Sequence, residues 1–194
     1  MFIQNSTNNL IGGTAAADRN VISGNSVDGI QIVGASASGN RIEGNYIGLD
    51  ATGTADLGNA AQGVAIFGSA DNNTVGGTAA GARNVISGND NYGIGISEAG
   101  TSGNVVQGNY IGTNAAGTAA IGNTSDGVAV ITGATNTLIG GTAGGAGNLV
   151  SGNGASGIAI TSAATAGTIV QGNIIGLNAA GDATLGNSAL GIYV

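Results

Sequence analysis

The chain contains no cysteine, proline, histidine, tryptophan or lysine. Without cysteine it has neither a disulfide framework nor a thiolate site. Without His, Cys and Lys the usual general bases and nucleophiles are missing. A phosphate-binding loop needs a lysine, so that site is excluded as well. Charge is also scarce. Three cations, Arg19, Arg41 and Arg83, face ten carboxylates, which leaves a net charge of −7. Nothing in such a chain replaces the counterions of a phosphate backbone, so neither nucleic acid nor anionic lipid is an expected partner. No apolar run approaches the ~18 residues that a membrane-spanning helix needs, so no membrane insertion is expected. The start, Met1-Phe2-Ile3-Gln4-Asn5, has no charged segment and no long apolar core, and does not read as a signal peptide. For a protein working outside the cell, the export signal would be absent from this chain.

What is abundant is glycine, with 40 residues, alongside Ile, Val and Leu at regular spacing. A hydrophobic fraction of 42% argues against disorder despite the low charge. The regularity is a repeat. Gly12-Gly13-Thr14 returns as Gly76-Gly77-Thr78 and Gly140-Gly141-Thr142, a step of 64 residues. Inside each copy a finer motif, G-N-x-x-x-G-[IV]-x-[IV], starts at Gly24, Gly58, Gly88, Gly122, Gly152 and Gly186, with steps alternating 34 and 30. The 64-residue unit is therefore two unequal turns of a coil.

Each turn reads as three short strands. In Gly29-Ile30-Gln31-Ile32 the two isoleucines point to one face and Gln31 to the other. Arg41-Ile42-Glu43 and Tyr46-Ile47-Gly48 follow, then Val64-Ala65-Ile66, Thr74-Val75-Gly76 and Val85-Ile86-Ser87 in the next turn. Gly, Asn, Ser and Asp fill the bends. Glycine recurs too often for a helix. Strands this short hold only when stacked on the next turn. The fold class expected is all-β: a right-handed single-stranded parallel β-helix, a solenoid of three 64-residue repeats of two coils each, forming one domain over residues 1–194 without evident end caps. The right hand follows from the general preference of parallel crossovers. Ile30, Val64, Ile94, Val128 and Ile158 should form one buried column.

Two polar positions should stack as ladders that satisfy backbone groups at the bends. One runs Asn9, Asn40, Asn73, Asn104, Thr137, Thr168; the other is the Asn of the G-N motif. The alternative for these rows is a sugar-binding surface.

The phrases N-V-I-S-G-N (from Asn20 and Asn84), G-N-Y-I-G (from Gly44 and Gly108) and I-G-T-N-A-A-G-T-A-A-I-G-N (from Ile111) resemble the parallel β-helix repeats of large secreted and surface proteins of bacteria, within the pectate-lyase-like superfamily. The resemblance covers nearly the whole chain. It implies spacers or display rods standing beside other domains; the superfamily's enzymes, which act on polysaccharides, set the rival expectation. A fold does not carry an activity by itself.

The residues do not read as an enzyme. Arg19 and Arg83 are repeat equivalents two turns apart, and Arg41 lies on another strand. Asp28 and Asp126 share a stacked position three turns apart, roughly 14 Å at β spacing. Neither arrangement makes a catalytic pair. Gly152-Asn153-Gly154-Ala155-Ser156-Gly157 matches G-x-G-x-x-G, but a strand follows it where that fingerprint needs a helix. Asp50 and Asp56 share a loop that suggests a Ca²⁺ site, yet their equivalents are Asn114 and Ala120, then Asn178 and Thr184, so solvated turn carboxylates are the better reading. No catalytic, cofactor-binding or metal residue is therefore assigned, and no cofactor.

Three outward rows remain. On the third strand Val21, Tyr46, Val85, Tyr110, Leu149 and Ile174 make an apolar ridge, with Leu57, Ile121 and Leu185 expected to fold over it; left bare, it would be an interface. The second-strand row is Leu10, Arg41, Thr74, Val105, Leu138 and Ile169, expected under the long loops as well. The first-strand row, Gln31, Ala65, Gly95, Ala129, Ala159 and Tyr193, is small and flat, but lacks the regular threonine ranks of an ice-binding face. Phe2 and Val194 align with Ile66 and Val130 at 64-residue steps, which suggests head-to-tail stacking. The functional expectation is a non-enzymatic structural scaffold: an extracellular or cell-surface rod, display or filament module that associates end to end. The alternative is a carbohydrate-binding or polysaccharide-processing β-helix, with polysaccharide as partner.

Overall fold

A computed structural model describes residues 1–194. The chain winds as a parallel β-solenoid whose three sheets run its length. The first sheet has seven strands, Phe2–Gln4, Ile30–Val33, Val64–Phe67, Ile94–Ser97, Val128–Ile131, Ile158–Ile160 and Ile192–Tyr193. The second has six, Leu10–Gly12, Arg41–Glu43, Thr74–Gly76, Val105–Gln107, Leu138–Gly140 and Ile169–Gln171. The third also has six, each of two residues, from Val21–Ile22 to Ile174–Ile175. The only helical segments are 3₁₀ turns at Ala16–Asp18 and Ala80–Ala82.

Every pairing is parallel and joins successive coils. Ile30 meets Val64, Val64 meets Ile94, Ile94 meets Val128, and Val128 meets Ile158. All five are fully buried, so the expected column is present. The second sheet supplies Ile42, Val75, Val106 and Ile139 to the same core, and the third supplies Ile47, Ile86, Ile111 and Val150. Each inward aliphatic contributes ~1.5–3 kcal/mol of burial. That gain accumulates coil by coil, as in any solenoid.

The alternation of coil lengths has a local cause. Odd coils are long between the second and third sheets, where Gly13–Arg19 and its equivalents bulge outward. Even coils are long between the third and first sheets, where a loop leaves at Leu49 and returns at Asp56 through an antiparallel bridge, repeated as Thr113 with Ala120 and Leu177 with Thr184. Where a bend must be tight, glycine is required. Gly12, Gly76 and Gly140 have φ between +85° and +88°, and a Cβ there would lie 1.9–2.0 Å from the carbonyl oxygen of Glu43, Gln107 or Gln171 on the next coil.

One register differs from the sequence expectation. Ile3 pairs with Ile32, which pairs with Ile66, so the first coil is one residue short of the repeat. The missing residue lies between Ile3 and Ile11: that turn spans eight positions, while Ile66 to Val75 spans nine. Ile3 is therefore inward and buried, and Phe2 is 59% exposed. The alignment of Phe2 with Ile66 fails by one position.

Candidate functional site

The polar interior is built from three rows of asparagines, one in each corner. Before the third sheet the row is Asn20, Asn45, Asn84, Asn109, Asn148, Asn173. Each Nδ2 donates to the Oδ1 of the next asparagine, at 2.9, 3.1, 2.9, 3.1 and 2.9 Å. Each Oδ1 also accepts the backbone N–H of the asparagine beneath it. The second Nδ2 hydrogen goes to a main-chain carbonyl at the bend, as in Asn84 to Ile42 at 2.7 Å. In the corner before the first sheet, the row Asn25, Asn59, Asn89, Asn123, Asn153, Asn187 repeats the scheme at 2.7–2.9 Å. The row before the second sheet runs through Asn9, Asn40, Asn73 and Asn104, then changes to Thr137 and Thr168. Both threonine hydroxyls are buried without a partner.

A buried amide without a partner costs ~1–3 kcal/mol, so these rows turn a liability of tight corners into continuous polar chains. Of the two ladders read from the sequence, the G-N row is present throughout and the other only from Asn9 to Asn104, since Thr137 and Thr168 make no side-chain bond; the asparagines turn inward onto the backbone rather than outward as a sugar-binding surface. The third ladder was not read. Its members sit in different phrases, N-V-I or N-L-V in odd coils and G-N-Y-I or G-N-I-I in even ones, and only the stacking of sheets aligns them. A serine device was missed as well. Ser23, Ser87 and Ser151 donate to the carbonyls of Leu49, Thr113 and Leu177 at 2.7–2.8 Å and accept the N–H of Gly48, Gly112 and Gly176, clasping the root of each long loop.

The candidate acidic residues serve the backbone. Asp28 accepts the N–H of Gln62 at 2.7 Å and the Gln31 amide at 2.5 Å; Asp126 accepts the N–H of Ser156 at 2.8 Å. In the long loop, the Asp50 carboxylate accepts the Thr52 hydroxyl and the N–H groups of Ala55 and Thr54. These donors, the Thr52 hydroxyl foremost, hold its carboxyl far below the usual carboxylate range. Asn114 and Asn178 accept the corresponding loop N–H groups through Oδ1. The position is thus a repeated loop clasp that Asp and Asn fill alike. Asp56 accepts the N–H of Gly58 at 2.9 Å. The G-x-G-x-x-G stretch is one copy of the corner motif: Asn153 belongs to a ladder and the strand Ile158–Ile160 follows.

The third-sheet ridge is covered along its middle, at Tyr46, Val85 and Leu149, and bare at its ends, where Val21 is 45% and Ile174 38% exposed. Of the three loop aliphatics, half-buried Ile121 packs against the Tyr46, Leu49 and Val85 cluster as expected, whereas Leu185 is half-buried and Leu57 is 54% exposed. The rest of the cover comes from the loop tips: Gly53 lies against Tyr46, Ala115 packs on the same cluster, and Gly117 lies against Tyr110 and Leu149. The N–H of Ala115 donates to Gly53 O, and that of Ala179 to Gly117 O, both at 2.9 Å, so loops two coils apart are hydrogen-bonded. Leu57 sits at the loop root with its N–H on Gly48 O, as Ile121 does on Gly112 O. Arginines complete the cover. The Arg19 guanidinium lies 4.1 Å from the Tyr46 ring centre and that of Arg83 lies 4.0 Å from Tyr110. Arg41 is elsewhere, paired to the buried Glu43.

The other two rows differ. Ala65, Gly95, Ala129 and Ala159 on the first sheet are buried, with Gln62 and Tyr92 lying against Gly95, so this is not an open flat face. The second-sheet row is half-buried at Thr74, Val105 and Leu138 and exposed at Leu10 and Ile169, so the long loops do not cover it. No helix is long and apolar enough to cross a membrane. Comparison with family models, curated proteins and solved structures finds no match for this chain, so the fold established is a parallel β-solenoid and no family is assigned to it.

Proposed function

We propose that the protein is a non-enzymatic structural rod, serving as a scaffold or display module outside the cell or on its surface. The observation that carries this reading is the set of asparagine rows: they spend the polar interior on holding coil to coil, along one axis. The resemblance to bacterial surface repeats supports the location. Each coil presents three strand edges and corner amides in at least two of its three corners to its neighbour, so another coil edge of this kind is a fitting partner for β-augmentation, end to end.

Electron microscopy and sedimentation of the purified protein, with product assays on a panel of polysaccharides, test the reading. Rods or end-to-end assemblies without chain cleavage are expected. Depolymerisation of any polysaccharide would overturn the non-enzymatic reading. Strictly monomeric behaviour at high concentration would overturn end-to-end association. The carbohydrate-binding alternative predicts retention on a glycan array, which the rod reading does not.

A further inference from the structure

Two of the three arginines line one cleft, and neither has a carboxylate partner; the single ion pair in the chain is Arg41 with Glu43. The cleft, about 210 Å³, lies over Tyr46 and Val85 on the outer face of the third sheet. Its walls are the bend at Thr14–Ala16 and the bend at Ala80–Gly81, with Arg19 and Arg83 at its two ends and no acidic residue in its lining. Arg19 Nε is committed to the carbonyl of Gly44 at 3.1 Å, while Arg83 Nε is buried and has no acceptor. The neighbouring Asp18 is turned back on its own bend, accepting the N–H of Ala15.

We propose that this cleft binds an oxyanion, a carboxylate or sulfate taken by the guanidinium forks. A guanidinium offers parallel N–H donors that match these anions bidentately, and such charge-assisted bonds are about twice as strong as neutral ones. The molecule's negative charge does not forbid this. At physiological salt the Debye length is about 8 Å, so carboxylates elsewhere on the rod are screened while two guanidinium groups act at contact. The repeat supplies a comparison. A similar cleft one copy along, over Tyr110 and Leu149, has Arg83 at one end but Gly147 and Gly172 at the other. Only the first cleft is cationic at both ends, so one site per chain is expected. Arg19 stacks on Tyr46 with its Nε held by Gly44 O, and Arg83 stacks on Tyr110 of the adjoining cleft, so the Nη groups are what each arginine offers an anion.

The three arginines give three Nε–H signals in a ¹⁵N NMR spectrum, which makes the test specific. Sulfate, glucuronate and, as a neutral control, glucose are titrated at constant ionic strength. Saturable shifts of the Arg19 and Arg83 signals at millimolar anion, with Arg41 nearly still, are expected. Arg19→Gln or Arg83→Gln should weaken binding about tenfold, the usual loss for one charge-assisted contact, and Arg83→Lys should weaken it less. Arg19 is exposed, so its variant keeps the test valid where Arg83→Gln disturbs folding. Tighter binding of sulfate points to a free inorganic ion, and tighter binding of glucuronate to an acid group on an organic body. Non-saturating shifts, equal movement of all three arginines, or affinity unchanged in Arg19→Gln would overturn the proposal. So would glucose binding as tightly as glucuronate.

Discussion

Replacing Thr137 by Asn should make the protein more stable, and the size of the gain follows from the broken ladder. Asn104 is the last asparagine of its row. Its Nδ2 donates to Ala70 O, but it finds no side-chain acceptor on the next coil, and Thr137 Oγ1 is buried without a partner. Thr and Asn are close in volume, so the substitution needs little rearrangement. The new Oδ1 would accept from the Asn104 N–H and Nδ2, as Asn104 Oδ1 does from Asn73. The new Nδ2 would face the carbonyl of Thr101, the coil equivalent of Ala37 and Ala70, which accept from Asn73 and Asn104. Three bonds at ~0.5–1.5 kcal/mol each, less the entropy of fixing the longer side chain, give a net gain of about 1–3 kcal/mol. For a chain of this length each kcal/mol moves Tm by roughly 2–4 °C. The assay is thermal and urea unfolding of Thr137→Asn beside Thr137→Val, which removes the orphan hydroxyl but makes no bond. Thr137→Asn no more stable than Thr137→Val would refute the claim that amide continuity stabilises the corner.

Breaking a ladder should cost more than extending one gains. Asn84→Ala removes the acceptor of the Asn45 N–H and the side-chain donor to the Ile42 carbonyl and Asn109 Oδ1, for a loss of about 2–4 kcal/mol measured by urea unfolding. Ile94→Ala opens a cavity in the fully buried column and should cost about 2–5 kcal/mol in the same assay. Asp50→Asn should leave the loop intact, since Asn114 and Asn178 do the same work, whereas Asp50→Ala should raise hydrogen exchange at Thr54 and Ala55. Because the folded Asp50 carboxyl is held below its unfolded value of about 3.9, its contribution is present above that pH and fades only as pH falls towards the folded value. Carbon-detected NMR should find it still ionised at pH near 3.

The coil was legible because its inward residues are Ile and Val at strand spacing, between glycine corners that nothing else explains. Its sheets, coil pairing and central column followed from that pattern. The corner chemistry was legible where the same phrase carried the same asparagine, as in the G-N motif. It was hidden where odd and even coils use different phrases, so Asn20 and Asn45 align only after folding. The ridge is covered as expected only along its middle, and of the three loop aliphatics expected over it Ile121 alone packs against it. Leu57 stands out by its hydrophobicity yet stays exposed, whereas much of the contact is made by Gly53, Ala115 and Gly117, residues whose small size gives no signal in a sequence. The slip at Phe2 had a similar cause. A repeat count assumes equal turns, and one missing residue ahead of Ile11 exchanges the inward and outward faces of the first strand. The Arg19–Arg83 cleft needs both the two-coil spacing and the bends beside it, and only the first was visible beforehand.

The hydrogen bond from Ala115 to Gly53, repeated from Ala179 to Gly117, reaches over an intervening coil. Most solenoids are described by what each turn gives to its immediate neighbour. Here a second, longer-ranged coupling ties even coils to each other and leaves odd coils enclosed between them. A single coil peeled from the middle would break contacts on both sides and also a strap it does not itself form. Loss and growth of structure should therefore proceed in double coils, and pulling along the axis should release chain in increments of one 64-residue unit rather than of 30 and 34 residues. The same constraint bears on how such a chain lengthens over evolutionary time. A duplicated single coil would set long loop against short bend and leave the strap without its mate, while a duplicated pair extends every ladder, column and strap at once.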